Sequence, residues 1–180
     1  MSYLRLIILL IFSTLAPGVC AQDAVIVWDR DRPLSWSDFQ GPPDPDSEHA
    51  AGTYSGVRYT YTYTMPDRTF TFEVAAYFDP ARSWRKPDAN SDYLLQHEQL
   101  HFDISELHAR LLRKAFAEAD FSERFETEIK AIHAENSAAR RAMQRRYDGE
   151  TDHSNNRAAQ QRWEALIRQQ MRALQAFRLP

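Results

Sequence analysis

Leu94-Leu95-Gln96-His97-Glu98-Gln99-Leu100-His101-Phe102-Asp103-Ile104 is the stretch on which the reading of this chain turns. Tyr93, Leu100, Ile104, Leu107 and Leu111 recur at three- and four-residue steps, and His97 falls in the same stripe, so the spacing predicts a long helix. Asn90 or Ser91 can cap it, and Asp92 suits its positive end. Residues four apart share one helix face, so His97 and His101 present two imidazoles to a single ion. Glu98 lies about 100° round from His97, outside the pair but within reach of a water held beside it. That is the HExxH division of labour: two neutral nitrogens hold Zn²⁺, the ion acidifies a water molecule, and the carboxylate takes its proton.

Both flanks of this helix have their own patterns. Upstream, Ala24–Trp28 reads as a short strand and Pro42, Pro43 and Pro45 mark a loop. Val57–Met65 places apolar or aromatic residues at every odd position. Thr69–Phe78 answers it, with Phe70, Phe72, Val74 and Ala76 on one face, which predicts an antiparallel hairpin in a sheet of three or four strands. Downstream, Asp120 with Glu123 reads as a capping box for a second helix, whose buried face is marked by Phe125, Ile129, Ile132 and Met143. Tyr147 to Asn156 is polar and contains Gly149, so a loop is expected there. A third helix follows from about Arg157 to Phe177. The expected class is α+β: an N-terminal antiparallel sheet over residues 22–90, then three long helices over 91–180, in one domain.

Residues 1–21 read as a secretory signal peptide rather than as part of the fold. Arg5 precedes a run from Leu6 to Leu15 that is apolar apart from Ser13 and Thr14, Pro17-Gly18 break it, and Val19-Cys20-Ala21 offers small residues at the cleavage positions. The run is too short to span a bilayer, so no stable membrane insertion is expected after cleavage. Pro17-Gly18-Val19 makes a poor lipobox, and Cys20, the single cysteine, leaves with the leader. The expectation is a bacterial protein exported to the periplasm or beyond, held by its core and a metal rather than by disulfides. At 180 residues, 43% hydrophobic and 26% charged, with a formal charge of −3, the chain carries no signature of nucleic-acid binding. The cationic run Arg140-Arg141 to Arg145-Arg146 is flanked by Glu135, Asp148 and Glu150 and reads as a solvated helix face.

A catalytic zinc needs a third protein ligand and an open fourth position. His153, in the polar loop Tyr147–His153, is the strongest candidate; Glu106, Glu150 and His49 are the alternatives. His108 lies about 10 Å beyond His101 along the helix and reads as a surface or core-edge residue. His133, among polar residues, reads as solvated, and Asp103 suits a supporting or capping role. The Tyr147 phenol is a candidate donor to the oxyanion of a tetrahedral intermediate, with a packed aromatic at a helix end as the other reading.

Three groups of residues carry a resemblance to a known family: Leu34-Ser35-Trp36-Ser37-Asp38-Phe39-Gln40-Gly41; Ser83-Trp84 with Leu94–Ile104; and Tyr147–His153 followed by Gln160 and Trp163. Together they resemble the bacterial DUF922 family, described as predicted secreted Zn-dependent proteases. The resemblance covers nearly all of the chain beyond the leader. It implies a zincin-like fold and a metallopeptidase acting on a peptide or protein. In that family a glycine typically follows the last histidine; Ser154 stands here instead. Glu98 would then be the general base and proton donor, with His97, His101 and His153 on the metal. Two rivals stand beside this reading: a non-catalytic envelope protein with a structural zinc, and a zinc amidase acting on a non-peptide or cell-wall bond.

Overall fold

The computed structural model describes residues 25–179, so the leader and the cleavage site lie outside the described residues. The order is β1 (Ile26–Val27), β2 (Ala51–Gly52), β3 (Ser55–Thr64), β4 (Thr69–Phe78) and β5 (Trp84–Arg85), then α1 (Asp92–Glu118), α2 (Phe125–Thr151) and α3 (Arg157–Ala173). Short 3₁₀ turns lie at Trp36–Asp38 and Gln175–Phe177. This is an α+β chain with its antiparallel sheet first and three helices after it. No helix among the described residues is long and apolar enough to cross a membrane.

Strict alternation builds the hairpin. Tyr59, Tyr61 and Tyr63 turn inward from β3 while Arg58, Thr60 and Thr62 face solvent. On β4, Val74, Ala76 and Phe78 are buried. The register runs from Ser55 opposite Phe78 to Thr64 opposite Thr69, and β1 adds to the far edge of β4 to give the order β1-β4-β3. A second ribbon, β2 paired with β5, was not legible in the sequence, because two-residue strands carry no periodicity.

Helix α1 is the centre of the molecule. Phe102, Ala109, Leu112 and Phe116 pack with Val74, Ala76 and Phe78 of the sheet, while Leu100, Ile104 and Leu107 pack with Tyr147, Trp163 and Ile167 of α2 and α3. Ser91 caps α1, its Oγ accepting from the Leu94 amide at 3.2 Å. The second helix starts later than the Asp120–Glu123 spacing suggests. The N-cap position falls on Arg124, whose side chain makes no capping bond; Ser122, just before it, bonds through its amide and hydroxyl to Glu128, and Asp120 lies outside the helix.

Local sequence also misleads at the other end of α2. The helix runs on through Gly149 to Thr151, where a loop was expected from Tyr147. A helical glycine costs about 1 kcal/mol, but burial of Tyr147 and Thr151 is worth more. Thr151 Oγ1 donates to the Tyr147 carbonyl at 2.7 Å, and Trp163 Nε1 of α3 donates to Glu150 at 2.8 Å. Three left-handed residues then reverse the chain, Asp152 (φ 48°), His153 (φ 47°) and Ser154 (φ 76°). The serine thus stands in a backbone conformation that glycine adopts without strain.

The Leu34–Gly41 segment is a brace. The Leu34 amide donates to Gln99 Oε1 of α1 at 2.7 Å, and Asp38 accepts from the Ser35 amide and from Arg32. Gly41 lies against the Ala81 and Ser83 carbonyls, where a Cβ would stand 2.6 and 2.9 Å from oxygen, so only glycine fits. Ser83, fully buried, accepts from the Tyr54 amide at 2.9 Å. The brace thereby fixes residues 51–55 alongside the N-terminal half of α1.

Candidate metal centre

His97 and His101 lie on α1 and are turned toward the last turns of α2. The residue that meets them there is Asp148. Its Oδ1 is 2.9 Å from His101 Nε2 and 3.4 Å from His97 Nε2, and one ligand atom from each of the three lies within 4.8 Å of the others. Two imidazole nitrogens and a carboxylate at these separations suit a tetrahedral ion with bonds of about 2.0–2.2 Å.

The protein sets the tautomer of His101. Gln144, one turn before Asp148 on α2, donates its Nε2 to the His101 carbonyl at 2.8 Å, which turns its Oε1 toward His101 Nδ1 at 2.5 Å. His101 therefore donates from Nδ1 and presents a lone pair at Nε2 to the Asp148 carboxylate. Lone pair against anion is repulsive unless a cation lies between them. A proton serves in the ion-free protein, and a metal ion suits the same donors. Burial by itself lowers the pKa of His101, but the hydrogen bond and charge of Asp148, with Glu98 and Gln144, outweigh it and raise it above the usual histidine value. Burial likewise raises Asp148, yet His101 and His97 hold it well below the ordinary carboxylate range.

Glu98 stands beside this cluster, 4% exposed, and its Oε2 accepts from Thr53 Oγ1 at 2.7 Å. The braced segment 51–55 thus fixes the carboxylate's orientation. All these groups open onto one cleft of about 870 Å³, lined also by Ser55, Tyr93, Arg140, Arg157, His49 and His153. That volume is within the range of small-molecule and peptide sites.

The DUF922 family model, described as a bacterial protein of unknown function, matches residues 37–154 and so includes every group in this cluster. The chain belongs to this family. It matches no curated protein and no solved structure.

In this DUF922 chain His153, expected as the third ligand, is placed otherwise. It lines the mouth of the cleft, exposed, with its ring against that of His49 at 4.1 Å between centroids. The continuation of α2 explains the difference: it carries Asp148 in on the face of Gln144, and the left-handed turn sets His153 beyond the helix end. Tyr147 is also not where an oxyanion donor would be. Its ring is fully buried, stacked on His97 at 4.6 Å and edge-on to His101, and its hydroxyl donates to the His97 carbonyl at 3.3 Å. It positions the two histidines from behind, and burial raises its pKa far above that of an exposed phenol.

The other candidates fall outside the cluster. Glu106 is five residues, or about 140° round the helix, from His101, and is buried against Arg110 and Arg113. Glu150 pairs with Arg146 and accepts from Trp163. Asp103 accepts from Trp28 Nε1 and Gln99 Nε2 on the far side of α1, which ties β1 and the Leu34 segment to the helix. His133 is half-buried against Tyr59 rather than solvated. Sequence reading missed Asp148, Gln144 and Thr53. The four-residue step from Gln144 to Asp148 was a signal in hand, hidden by the expectation of a loop from Tyr147.

His108 is buried, 3% exposed, where a surface or core-edge residue was expected, and neither ring nitrogen has a partner among the described residues. Burial, then the Arg140 guanidinium, lowers its pKa to about 4. The unfolded chain binds this proton below about 6.5, whereas the folded chain refuses it until about 4. Acid therefore favours unfolding through this residue, and its contribution to stability falls as pH drops across that window. At about 1.4 kcal/mol per unit the loss reaches about 3 kcal/mol. His108→Leu is expected to flatten that part of the stability–pH curve, read by denaturant melts at pH 4.5 and 7; an unchanged difference between the two pH values would refute it.

Proposed function

We propose that this protein is an exported metal-dependent hydrolase, a zinc metallopeptidase of zincin-like design with His97, His101 and Asp148 on the ion. One observation supports it above the rest: among the described residues three protein donors, not four, converge in an open cleft, with the Glu98 carboxylate, held by Thr53 and in no ion pair among those residues, next to them. Three donors leave a position for substrate or water, whereas a structural site closes with four. This weighs against the non-catalytic envelope reading. The ion, when bound, supplies Lewis acidity to a carbonyl and acidifies water. Glu98, oriented by Thr53, takes the proton from the attacking water and returns it to the departing amine. Gln144 and Tyr147 keep the imidazoles aimed, and the carboxylate of Asp148 offsets part of the ion's charge. The same groups would serve on an amide other than a peptide bond, so the substrate screen should include cell-wall amides.

Metal analysis of the purified chain, reloaded with zinc after chelation, tests the ligand set. About one ion per chain is expected for the wild type and for His153→Ala, and little or none for Asp148→Ala. Retention by Asp148→Ala with loss in His153→Ala would restore the sequence-based assignment. No uptake by the wild type would end the metalloenzyme reading.

A further inference from the structure

Arg140, Gln144 and Asp148 follow one another at four-residue steps on α2, which places them on one helix face. Asp148 meets both histidines, and Gln144 bonds to His101. Arg140 continues the row along the same cleft. Its Nη1 donates to the Ser55 carbonyl at 2.9 Å, and among the described residues its Nε and Nη2 have no protein acceptor. No carboxylate pairs with it there, in contrast to Arg32, Arg110, Arg113 and Arg146, each of which has one. It is half-buried, and its neighbour His108, as an imidazole, offers it no negative charge.

A cation withdrawn from water without a counter-charge is unfavourable, and a fork held at one end by a backbone carbonyl is already oriented. The Nε–Nη2 edge left over is the edge that binds a carboxylate with two parallel hydrogen bonds. We propose that Arg140 is a substrate-recognition residue, and that the molecule cleaved at this site carries a carboxylate near the bond attacked. This rests on the hydrolase reading above. Eight helical residues separate Arg140 from Asp148, about 12 Å of axis, so the carboxylate falls within about three extended residues of that bond. A chain-terminal carboxylate and an acidic side chain both supply the group. The competing account is that Arg140 only ties α2 to β3 through Ser55.

Paired peptide hydroxamates distinguish these accounts, used on the full zinc-loaded chain. Each pair carries a carboxylate or the matching carboxamide one, two or three residues from the chelating group, on either side, as a chain end or as Asp against Asn. For at least one pair the wild type is expected to bind the carboxylate form about 10–100-fold more tightly. In Arg140→Gln, which keeps a donor for Ser55 but loses the charge, that ratio should collapse toward 1 with metal content intact. Arg140→Lys, which keeps the charge but not the fork, should fall between them and covers the case in which the glutamine variant does not fold. Equal affinities within every wild-type pair would overturn the proposal while leaving the metal site standing, and which pairs discriminate separates chain end from side chain. A wild-type preference that survives in Arg140→Gln would overturn the assignment to Arg140. Failure of every hydroxamate to bind a zinc-loaded chain would sink the hydrolase reading and this proposal with it.

Discussion

Glu98→Gln is expected to lower turnover about 10²–10⁴-fold, the usual worth of a positioned general base, while metal content stays near one per chain. The substitution is nearly isosteric, and glutamine still offers Thr53 an acceptor at the position of Oε2. Folding should therefore be conserved and the effect confined to proton transfer. The measurement is single-substrate kinetics on whichever amide a broad screen yields, beside metal analysis and a thermal melt of the same preparation. Activity surviving at the wild-type level would remove Glu98 from the chemistry and favour a metal with a structural role. A variant that also lost its metal would show that Glu98 supports the ligands rather than the reaction.

The second large effect is on stability, and it lies on the face of α1 turned away from the histidines. Glu106→Ala is expected to destabilise the chain by about 3–5 kcal/mol, because it strands two partly or wholly buried guanidinium groups. Glu106 Oε1 accepts from Arg110 Nε at 2.8 Å and Arg113 Nη1 at 3.2 Å. Those arginines in turn hold backbone carbonyls of distant segments: Arg110 that of Met171, and Arg113 those of Val74 and Phe177. One carboxylate thus orders the junction of α1 with β4, the end of α3 and the C-terminal turn. At about 2–4 °C per kcal/mol the melting temperature should drop by roughly 6–20 °C. A shift of less than 2 °C would mean that the arginines find water or another partner at little cost. Metal content in Glu106→Ala near the wild-type level, measured well below its melting point, would separate this residue from the ligand role that its sequence position allowed.

These two glutamates show where a sequence argument is strong and where it fails. Eight residues apart on one helix, both are carboxylates within five residues of His101. Helical geometry already distinguishes them, since Glu98 follows His97 directly whereas Glu106 is carried round to the far side. The sheet was legible for a similar reason. A period of two over ten residues leaves one consistent face, and β4 formed over the residues that the alternation marked.

What the sequence by itself determined was therefore whatever depends on local periodicity: the α+β order, the hairpin, the cap at Ser91, and the presentation of His97, Glu98 and His101 from one helix. Tertiary structure alone decided which residue meets the two histidines. Polar residues and Gly149 argued for a loop after Tyr147, but the buried Tyr147 ring, Thr151 and the Trp163–Glu150 bond hold α2 helical for another turn. That turn brings Asp148 to the histidines and leaves His153 at the mouth of the cleft. Thr53 and Arg140 were invisible as cleft residues for the same reason. Each acts through a partner more than 40 residues away, and no local pattern records a contact that only packing creates.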